Sequence, residues 1–75
     1  MCKIGDIVSL IDELGSMTGP YLYLDFIVPE ENKGKYDYTE IMGNKNMRYY
    51  VLMRERKIIF VLGGWGTIIP FQGHE

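Results

Sequence analysis

The sequence has very little of the chemistry that small domains use for cross-linking. It contains one cysteine, Cys2, and one histidine, His74. A single thiol excludes a disulfide within the chain and, with only one imidazole, a cysteine–histidine zinc site. A chain of 75 residues buries only about 60–65% of its unfolded surface, and such domains often gain stability by oligomerising. We therefore expect one domain over residues 1–75 that forms a homodimer.

Long apolar runs and a strong charge of either sign are also lacking. No stretch approaches the ~18 apolar residues of a membrane-spanning helix. The net charge is −2, so the composition gives no general attraction to nucleic acid or anionic membranes. The segment "MCKIGDIVSL" has no clean apolar run before Asp6, which argues against a signal peptide. Together with the lone thiol, this predicts a cytoplasmic protein with no membrane partner.

Residue sets for catalysis or metal binding are sparse. General acid–base chemistry needs a histidine or two differently tuned carboxylates in a cleft, and His74 is the penultimate residue, where chains usually fray. Asp25, Asp37 and Glu40 could meet across two paired strands, but they lack the pattern of a calcium loop. We expect no enzyme activity, no catalytic residue, no metal and no cofactor.

The first of several short apolar segments has a helical pattern. In "DIVSLIDELG", residues 6–15, apolar side chains fall at Ile7, Leu10, Ile11 and Leu14, the spacing of an amphipathic helix. Asp6 can cap its beginning and Gly15 can end it. The alternative is a strand, because "KIGDIVSL" is also how many small barrels begin. We favour the helix, since strand alternation fails at Leu10–Ile11.

The later segments predict strands. "PYLYLDFIVP", residues 20–29, alternates with period two: Leu22, Leu24, Phe26 and Val28 share one face, and Tyr21, Tyr23, Asp25 and Ile27 share the other. Further strands are expected at 36–42, 47–53, 57–62 and 66–71. Segments 47–53 and 57–62 are apolar on both faces, which is typical of strands covered on both sides.

These elements predict an α+β fold, in which a short N-terminal helix packs on a four- to five-stranded antiparallel meander sheet. The alternative is a small SH3-like β-barrel. One helix covers only one face of such a sheet, so the other face needs a partner or must curl into a barrel. Large exposed apolar patches usually mark interaction sites.

The segment "GGWG", residues 63–66, places the only tryptophan among three glycines. The "TIIPF" that follows is strand-like, so the helix N-terminus that a phosphate-binding glycine loop needs is lacking. We expect a hairpin turn in which Gly63, Gly64 and Gly66 adopt positive φ. Trp65 is then either a cap on the core or an anchor for a partner.

Tyrosines and cations predict two candidate surfaces. The partner-binding set, in which the tyrosines share one sheet face, is Tyr21, Tyr23, Tyr36, Tyr38 and Trp65. Its alternative is ordinary strand composition. Alternate loops of a meander lie at the same end, which predicts a basic pole with phosphate-binding character made of Lys33, Lys35, Arg54, Arg56 and Lys57. The alternative there is plain solvated loops.

The segments "YLYLDFIVP" and "GTIIPF", fifteen residues in all, resemble parts of small phage anti-defence proteins that sequester nucleotide signals. The resemblance implies no residue role. We predict a small non-catalytic binding protein that acts through protein–protein contact, of inhibitor or adaptor type and encoded by a phage or mobile element. The alternative is binding or sequestration of nucleic acid or nucleotides by the tyrosine face and the basic pole, with an affinity that falls steeply with salt.

Overall fold

Within residues 2–71, which the computed structural model describes, the regular structure is five strands and one turn of 3₁₀ helix. The strands are β1 (Ile7–Asp12), β2 (Met17–Ile27), β3 (Tyr49–Arg54), β4 (Lys57–Leu62) and β5 (Gly66–Pro70), and the 3₁₀ turn is Pro29–Glu31. The strands form one antiparallel sheet in the order β4-β3-β2-β1-β5. β4 and β5 are therefore the two edges of the sheet.

The predicted α+β fold is wrong, and the small β alternative fits better. Segment 6–15 is strand β1 with the turn that follows it. β1 pairs with β2 on one side and with β5 on the other, and this pairing outweighs a helical pattern too short to be stable alone. The apolar residues of the expected helix do not form one buried stripe: Val8 is fully buried, whereas Ile7 is 50% and Leu14 90% exposed.

Asp12 and Gly15, placed near the end of the expected helix, build the β1–β2 turn instead. Oδ1 of Asp12 accepts hydrogen bonds from the backbone N–H groups of Leu14 and Ser16, both at 2.9 Å. Gly15 has a φ of +84°, which a glycine adopts without steric cost. An aspartate that binds backbone N–H groups shortly after it favours a turn over a helix.

Strand β2 begins at Met17, so Pro20 lies inside it and not before it. The register against β1 shifts between Val8 and Leu10, opposite Gly19 and Pro20, and such irregularities are where a sheet admits proline. A second shift, against β3, falls between Tyr23 and Asp25. Beyond this shift, the side chains of β2 exchange faces. The prediction that Phe26 lies on the opposite face from Tyr21 and Tyr23 is therefore wrong, and all three side chains pack around one core.

That core lies on one face of the sheet, the inner face. Val8, Tyr23 and Leu52 are buried at its centre. The rings of Phe26 and Tyr50 stack beside them with centroids 4.6 Å apart. Burial raises the pKa of the Tyr23 hydroxyl, so this side chain stays neutral within the core.

The opposite, outer face is partly covered by the β2–β3 loop, residues 28–48. The strand predicted at 36–42 lies in this loop, so that prediction is wrong. Tyr36 and Tyr38 pack on Phe60 of β4, with ring centroids 6.3 Å and 5.5 Å from its ring. The hydroxyl of Tyr38 donates to the carbonyl oxygen of Asn32 at 2.7 Å. Side-chain packing, and not a strand ladder, therefore fixes this segment.

The three strands predicted near the end of the chain are confirmed to within two residues as β3, β4 and β5. Cover on both faces holds for β3, because its neighbours Val51 and Leu52 are both fully buried. It fails for β4, whose residues are half-buried or exposed. The physical reason is position: β4 is an edge strand, and only β3 pairs with it.

Candidate functional site

A groove runs between edge strand β4 and the β2–β3 loop. Its larger part is a cavity of about 400 Å³, a size in the range of small ligand sites. The side chains around it are mainly apolar and come from both the strand and the loop: Glu40, Met42, Tyr49, Phe60, Leu62 and Trp65. We call the whole groove, of which this cavity is the larger part, the Trp65 groove.

Trp65 stands at the mouth of the groove on the turn between β4 and β5. The backbone N–H of Trp65 donates to the carbonyl oxygen of Leu62 at 2.9 Å, which closes the turn predicted for "GGWG". The Trp65 side chain is 61% exposed. A tryptophan that caps a core would be largely buried, so this exposure favours the role of an anchor over that of a cap.

The glycines of this turn serve close packing and not positive φ, so that part of the prediction is wrong. A Cβ on Gly63 would lie 3.2 Å from the carbonyl oxygen of Arg48 and 3.3 Å from Cε1 of Phe26. A Cβ on Gly66 would lie 3.1 Å from Cδ1 of Leu10. Gly64 has open space around it. Two of the three glycines thus let the turn lie close against the strands beneath it.

Met42 forms the loop side of the groove and is 95% exposed. Next to it, Ile41 is buried, and its backbone N–H donates to the carbonyl oxygen of Tyr38 at 3.0 Å. The hydroxyl of Tyr49 donates to the carbonyl oxygen of Asn44 at 3.0 Å. The loop is thus fastened on both sides of Met42, which leaves a flexible thioether at the surface of a fixed groove.

A second, smaller cavity of about 240 Å³ continues the groove toward the beginning of β4. Glu40 and Phe60 border both cavities, and Asp37, Arg56 and Ile58 complete the smaller one. The Thr39 backbone N–H binds Oδ1 of Asp37 at 3.1 Å, and this hydrogen bond lowers the pKa of Asp37. This end of the groove therefore has two acidic side chains, Asp37 and Glu40, and one basic side chain, Arg56.

The edge of β4 beside the groove carries backbone groups that point away from the sheet. The Gly63 N–H donates to the carbonyl oxygen of Arg48 at 2.9 Å, so by alternation the β4 residues that bond to β3 are Lys57, Ile59 and Val61,. The N–H and C=O groups of Ile58, Phe60 and Leu62 then face outward. Within residues 2–71, the Trp65 N–H bound to the Leu62 oxygen is the only backbone contact to them.

The predicted partner-binding tyrosines do not share a face. Tyr21 and Tyr23 belong to the inner core, whereas Tyr36 and Tyr38 cover Phe60 on the outer face. Tyr36 donates from its hydroxyl to Oδ2 of Asp25 at 3.3 Å, and burial, followed by the charge of Asp25, raises the pKa of Tyr36. Of the predicted set, the structure brings only Trp65 into the groove; the binding roles of the tyrosines stay predictions.

The basic pole is not assembled as the meander prediction required. That prediction needed a strand at 36–42, and without it the β2–β3 loop begins at the end of the sheet opposite Arg54, Arg56 and Lys57. Lys33 lies 3.4 Å from Glu30, and Lys35 lies 2.7 Å from Asp25. The Arg54 guanidinium lies 5.9 Å from the centre of the Tyr21 ring. Phosphate binding by these cations stays a prediction.

The remaining chemical candidates are scattered. Cys2 is a half-buried free thiol beside the inner core. His74 lies outside the described residues. Among residues 2–71 there is no group of three or more acidic, cysteine or histidine side chains placed to hold a metal ion. The same part of the chain contains no helix with the length and apolarity to cross a membrane.

Sequence reasoning missed most residues of the groove, namely Glu40, Met42, Tyr49, Phe60 and Leu62. The sequence predicts that Phe60 and Leu62 lie in a strand covered on both faces, and that Met42 lies in a strand at 36–42. One signal could have pointed to the groove: "KIIFVL" is followed at once by "GGWG". The only tryptophan therefore lies in the turn at the end of β4, next to the strand that borders the groove. The contribution of the loop depends on contacts between segments far apart in the chain.

Comparison of the chain with protein-family models, with curated protein sequences and with solved structures gave no match.

Proposed function

We propose that this protein is a non-catalytic binding protein that holds a partner polypeptide in the Trp65 groove. The observation that carries this is the exposure of Trp65 and Met42, 61% and 95%, on opposite sides of a cavity that lies against a sheet edge. Exposing large apolar side chains costs solubility, and such a cluster usually marks an interaction site. Tryptophan is also the residue most enriched in interface hot spots.

The chemistry of the groove suits a polypeptide. Its larger cavity is lined by aliphatic and aromatic side chains, and the edge of β4 adds backbone donors and acceptors. Polypeptides recognise such an edge through main-chain hydrogen bonds and use pockets for selectivity. An inhibitor or adaptor of the expected type would act by covering or bridging the segment that it holds.

We place nucleic-acid or nucleotide binding second. Stacked bases need exposed aromatic faces near cations, but the tyrosines are divided between two faces and pack on neighbouring side chains. The groove itself borders Asp37 and Glu40, which would repel phosphate. Binding of a phosphate ligand would weaken steeply with added salt, whereas binding in the Trp65 groove should weaken far less, because its larger cavity is lined mainly by apolar side chains.

The homodimer expected from the sequence has an apolar surface available that shares only Ile58 with the groove. Ile7, Leu22, Met53 and Ile58 are successive cross-strand partners and form one apolar row on the outer face. Ile7 is 50% exposed. We propose that a second copy covers this row, because two identical flat apolar rows are complementary about a twofold axis.

The test of the groove compares peptide binding by two variants, each of which truncates one exposed apolar side chain to alanine. A displayed library of random 12-residue peptides is panned on the wild-type protein, and the enriched peptides are measured by calorimetry. We expect Trp65→Ala to weaken binding by about 30-fold, as for a hot-spot residue. The circular dichroism spectrum of this variant should match that of the wild type. Leu14→Ala, at an exposed site on the β1–β2 turn, is the control and should bind as the wild type does. Enriched peptides that bind Trp65→Ala equally well would disprove the site.

A further inference from the structure

We propose, resting on the function proposed above, that the segment held in the groove is extended and adds to β4 as a sixth, antiparallel strand. It would place an apolar side chain against Trp65 and a lysine or arginine beside Glu40. The partner is thus a protein segment in which an apolar residue and a basic residue are two positions apart. Three features of the groove lead to this chemistry.

The first feature is the backbone of β4. Edge strands are usually protected from further pairing by charges, by proline or by a bulge. At the other edge, Pro70 of β5 occupies a position whose missing N–H would point outward, because the Phe71 N–H bonds to the Ile7 oxygen and sets the alternation. From Ile58 to Leu62 the β4 edge has neither a charge nor a proline. Among the described residues 2–71, nothing pairs with this edge, so β4 is the edge left open for pairing.

The second feature is the spacing of the two cavities along β4. The larger cavity borders Leu62 and the smaller one borders Ile58, with Phe60 between them. Residues two apart in a strand lie on the same face about 7 Å from each other. An added strand would therefore direct alternate side chains into successive cavities, as in other strand-addition complexes.

The third feature is charge. The smaller cavity carries Asp37 and Glu40 against one cation, Arg56. Ion pairs among the described residues involve carboxylates other than those of Asp37 and Glu40. The negative excess at this end of the groove favours a cationic side chain in the bound segment. The cavity beside Trp65 has a mainly apolar wall and accepts an aliphatic or aromatic one.

A second folded copy is a poorer occupant of this edge. A twofold axis that paired two β4 strands symmetrically would pass beside Phe60. Glu40 and Met42 of the β2–β3 loop also lie beside Phe60, so the loops of the two copies would meet at the axis. A single extended segment brings no second loop to that axis.

The probe is the peptide acetyl-Thr-Lys-Thr-Leu-Thr-Lys-Thr-amide, which presents leucine with lysine two positions away in either direction. Trp65 is the only tryptophan, so its fluorescence reports binding. In an antiparallel addition the nitrogen of the central leucine faces β4 and those of its neighbours face away. We expect N-methylation of the leucine to weaken binding about tenfold or more through loss of a hydrogen bond and a clash. N-methylation of the preceding threonine should leave it unchanged.

The charge requirement is tested on both partners. Replacing the two lysines of the peptide by glutamate should abolish binding. Glu40→Lys should weaken binding of the original peptide several-fold, whereas Glu13→Lys, the same change on the exposed β1–β2 turn, should not. Equal binding of the two methylated peptides overturns strand addition, and the reverse order overturns the antiparallel direction. If the peptide binds Glu40→Lys and Glu13→Lys equally well, the proposed position of a basic residue beside Glu40 is wrong.

Failure here is distinguishable from failure of the proposed function. If the probe does not bind while library peptides bind in a Trp65-dependent way, strand addition is wrong and the groove remains a protein-binding site. If the probe does not bind and the library peptides bind independently of Trp65, both strand addition and the proposed binding site are wrong. A dimer in which the Phe60 and Leu62 amides become protected from exchange would replace the extended segment by a second copy.

Discussion

The ammonium nitrogen of Lys35 lies 2.7 Å from Oδ2 of Asp25, and this contact fastens the β2–β3 loop to strand β2. Asp25 is only 8% exposed. Burial acts to raise the pKa of Asp25, but hydrogen bonds from Lys35, the Phe26 N–H and Tyr36 outweigh it, so the pKa lies below its ordinary value. The hydrogen bond to Asp25 raises the pKa of Lys35 in turn. The wall of the groove thus depends on a buried carboxylate outside it.

Replacing Asp25 by asparagine should lower stability and change its pH dependence. Because the folded-state pKa of Asp25 is below the unfolded value of about 3.9, its contribution is complete above that pH and is lost as the pH falls through the folded pKa. We expect Asp25→Asn to reduce the free energy of unfolding at pH 7 by about 1–3 kcal/mol. The difference from wild type should shrink below about pH 4.

Urea unfolding at pH 7 and pH 3 measures both effects. Lys33→Met, which removes the exposed pair with Glu30 at 3.4 Å, is the control and should change stability by less than about 0.5 kcal/mol. The raised pKa of Lys35 acts on the alkaline side, where its contribution is lost as the pH rises above about 10.4. A variant as stable as wild type at pH 7 would show that the carboxylate contributes no net stability.

Amide hydrogen exchange should follow the alternation of β4. The N–H groups of Ile59 and Val61 bond to β3, whereas those of Ile58 and Phe60 point outward. We expect exchange of the outward pair to be faster than that of the bonded pair by at least about tenfold, because open edge amides need no unfolding to exchange. Two-dimensional NMR in deuterium oxide gives the rates. Equal protection of all four amides would mean that the edge is already occupied.

Substitutions in the β3–β4 turn should raise the stability of the protein. Glu55 and Arg56 have φ values of 52° and 68°, the left-handed region that non-glycine residues occupy at a cost of roughly 1–2 kcal/mol each. Such two-residue turns favour Asn-Gly. The double variant Glu55→Asn and Arg56→Gly should raise the free energy of unfolding by about 1–2 kcal/mol. Thermal unfolding detects this, and an unchanged or lower midpoint would contradict the turn geometry.

Alanine at the turn glycines separates close packing from flexibility. Gly63→Ala should lower the free energy of unfolding by about 1–3 kcal/mol, since its Cβ would press on a backbone oxygen. Gly64→Ala meets open space and should be neutral or stabilise by up to about 1 kcal/mol. The same unfolding experiment compares the two. Equal effects would mean that the close approach of Gly63 to Arg48 is not maintained.

The homodimer is tested by light scattering over a dilution series at low and high salt. An interface on the apolar row should persist in high salt, because burial of apolar surface does not depend on charge screening. Ile7→Lys should convert the dimer to monomer, while Leu14→Lys, at an exposed residue off the row, should not. A wild-type monomer at all concentrations would remove the row as an interface.

The sequence alone determined where β3, β4 and β5 lie, because their β-branched and aromatic runs and the glycine turn between β4 and β5 are local signals. It could not determine β1, since the spacing of Ile7, Leu10 and Ile11 is that of a helix and breaks the alternation of a strand. This segment is a strand because it pairs with β2 on one side and with β5 on the other. The alternation in "YDYTEIM" likewise predicted a strand that the packing of Tyr36 and Tyr38 on Phe60 replaced by a loop.

Of the candidate site, the sequence identified Trp65 and the turn that carries it. The groove was decided by tertiary structure alone. Met42 and Glu40 reach β4 only because the β2–β3 loop folds back over the outer face, held by the contact between Asp25 and Lys35. The open edge exists because β4 is last in the order of the sheet. Both facts depend on contacts between residues distant in the chain, whereas composition and periodicity report only local preferences.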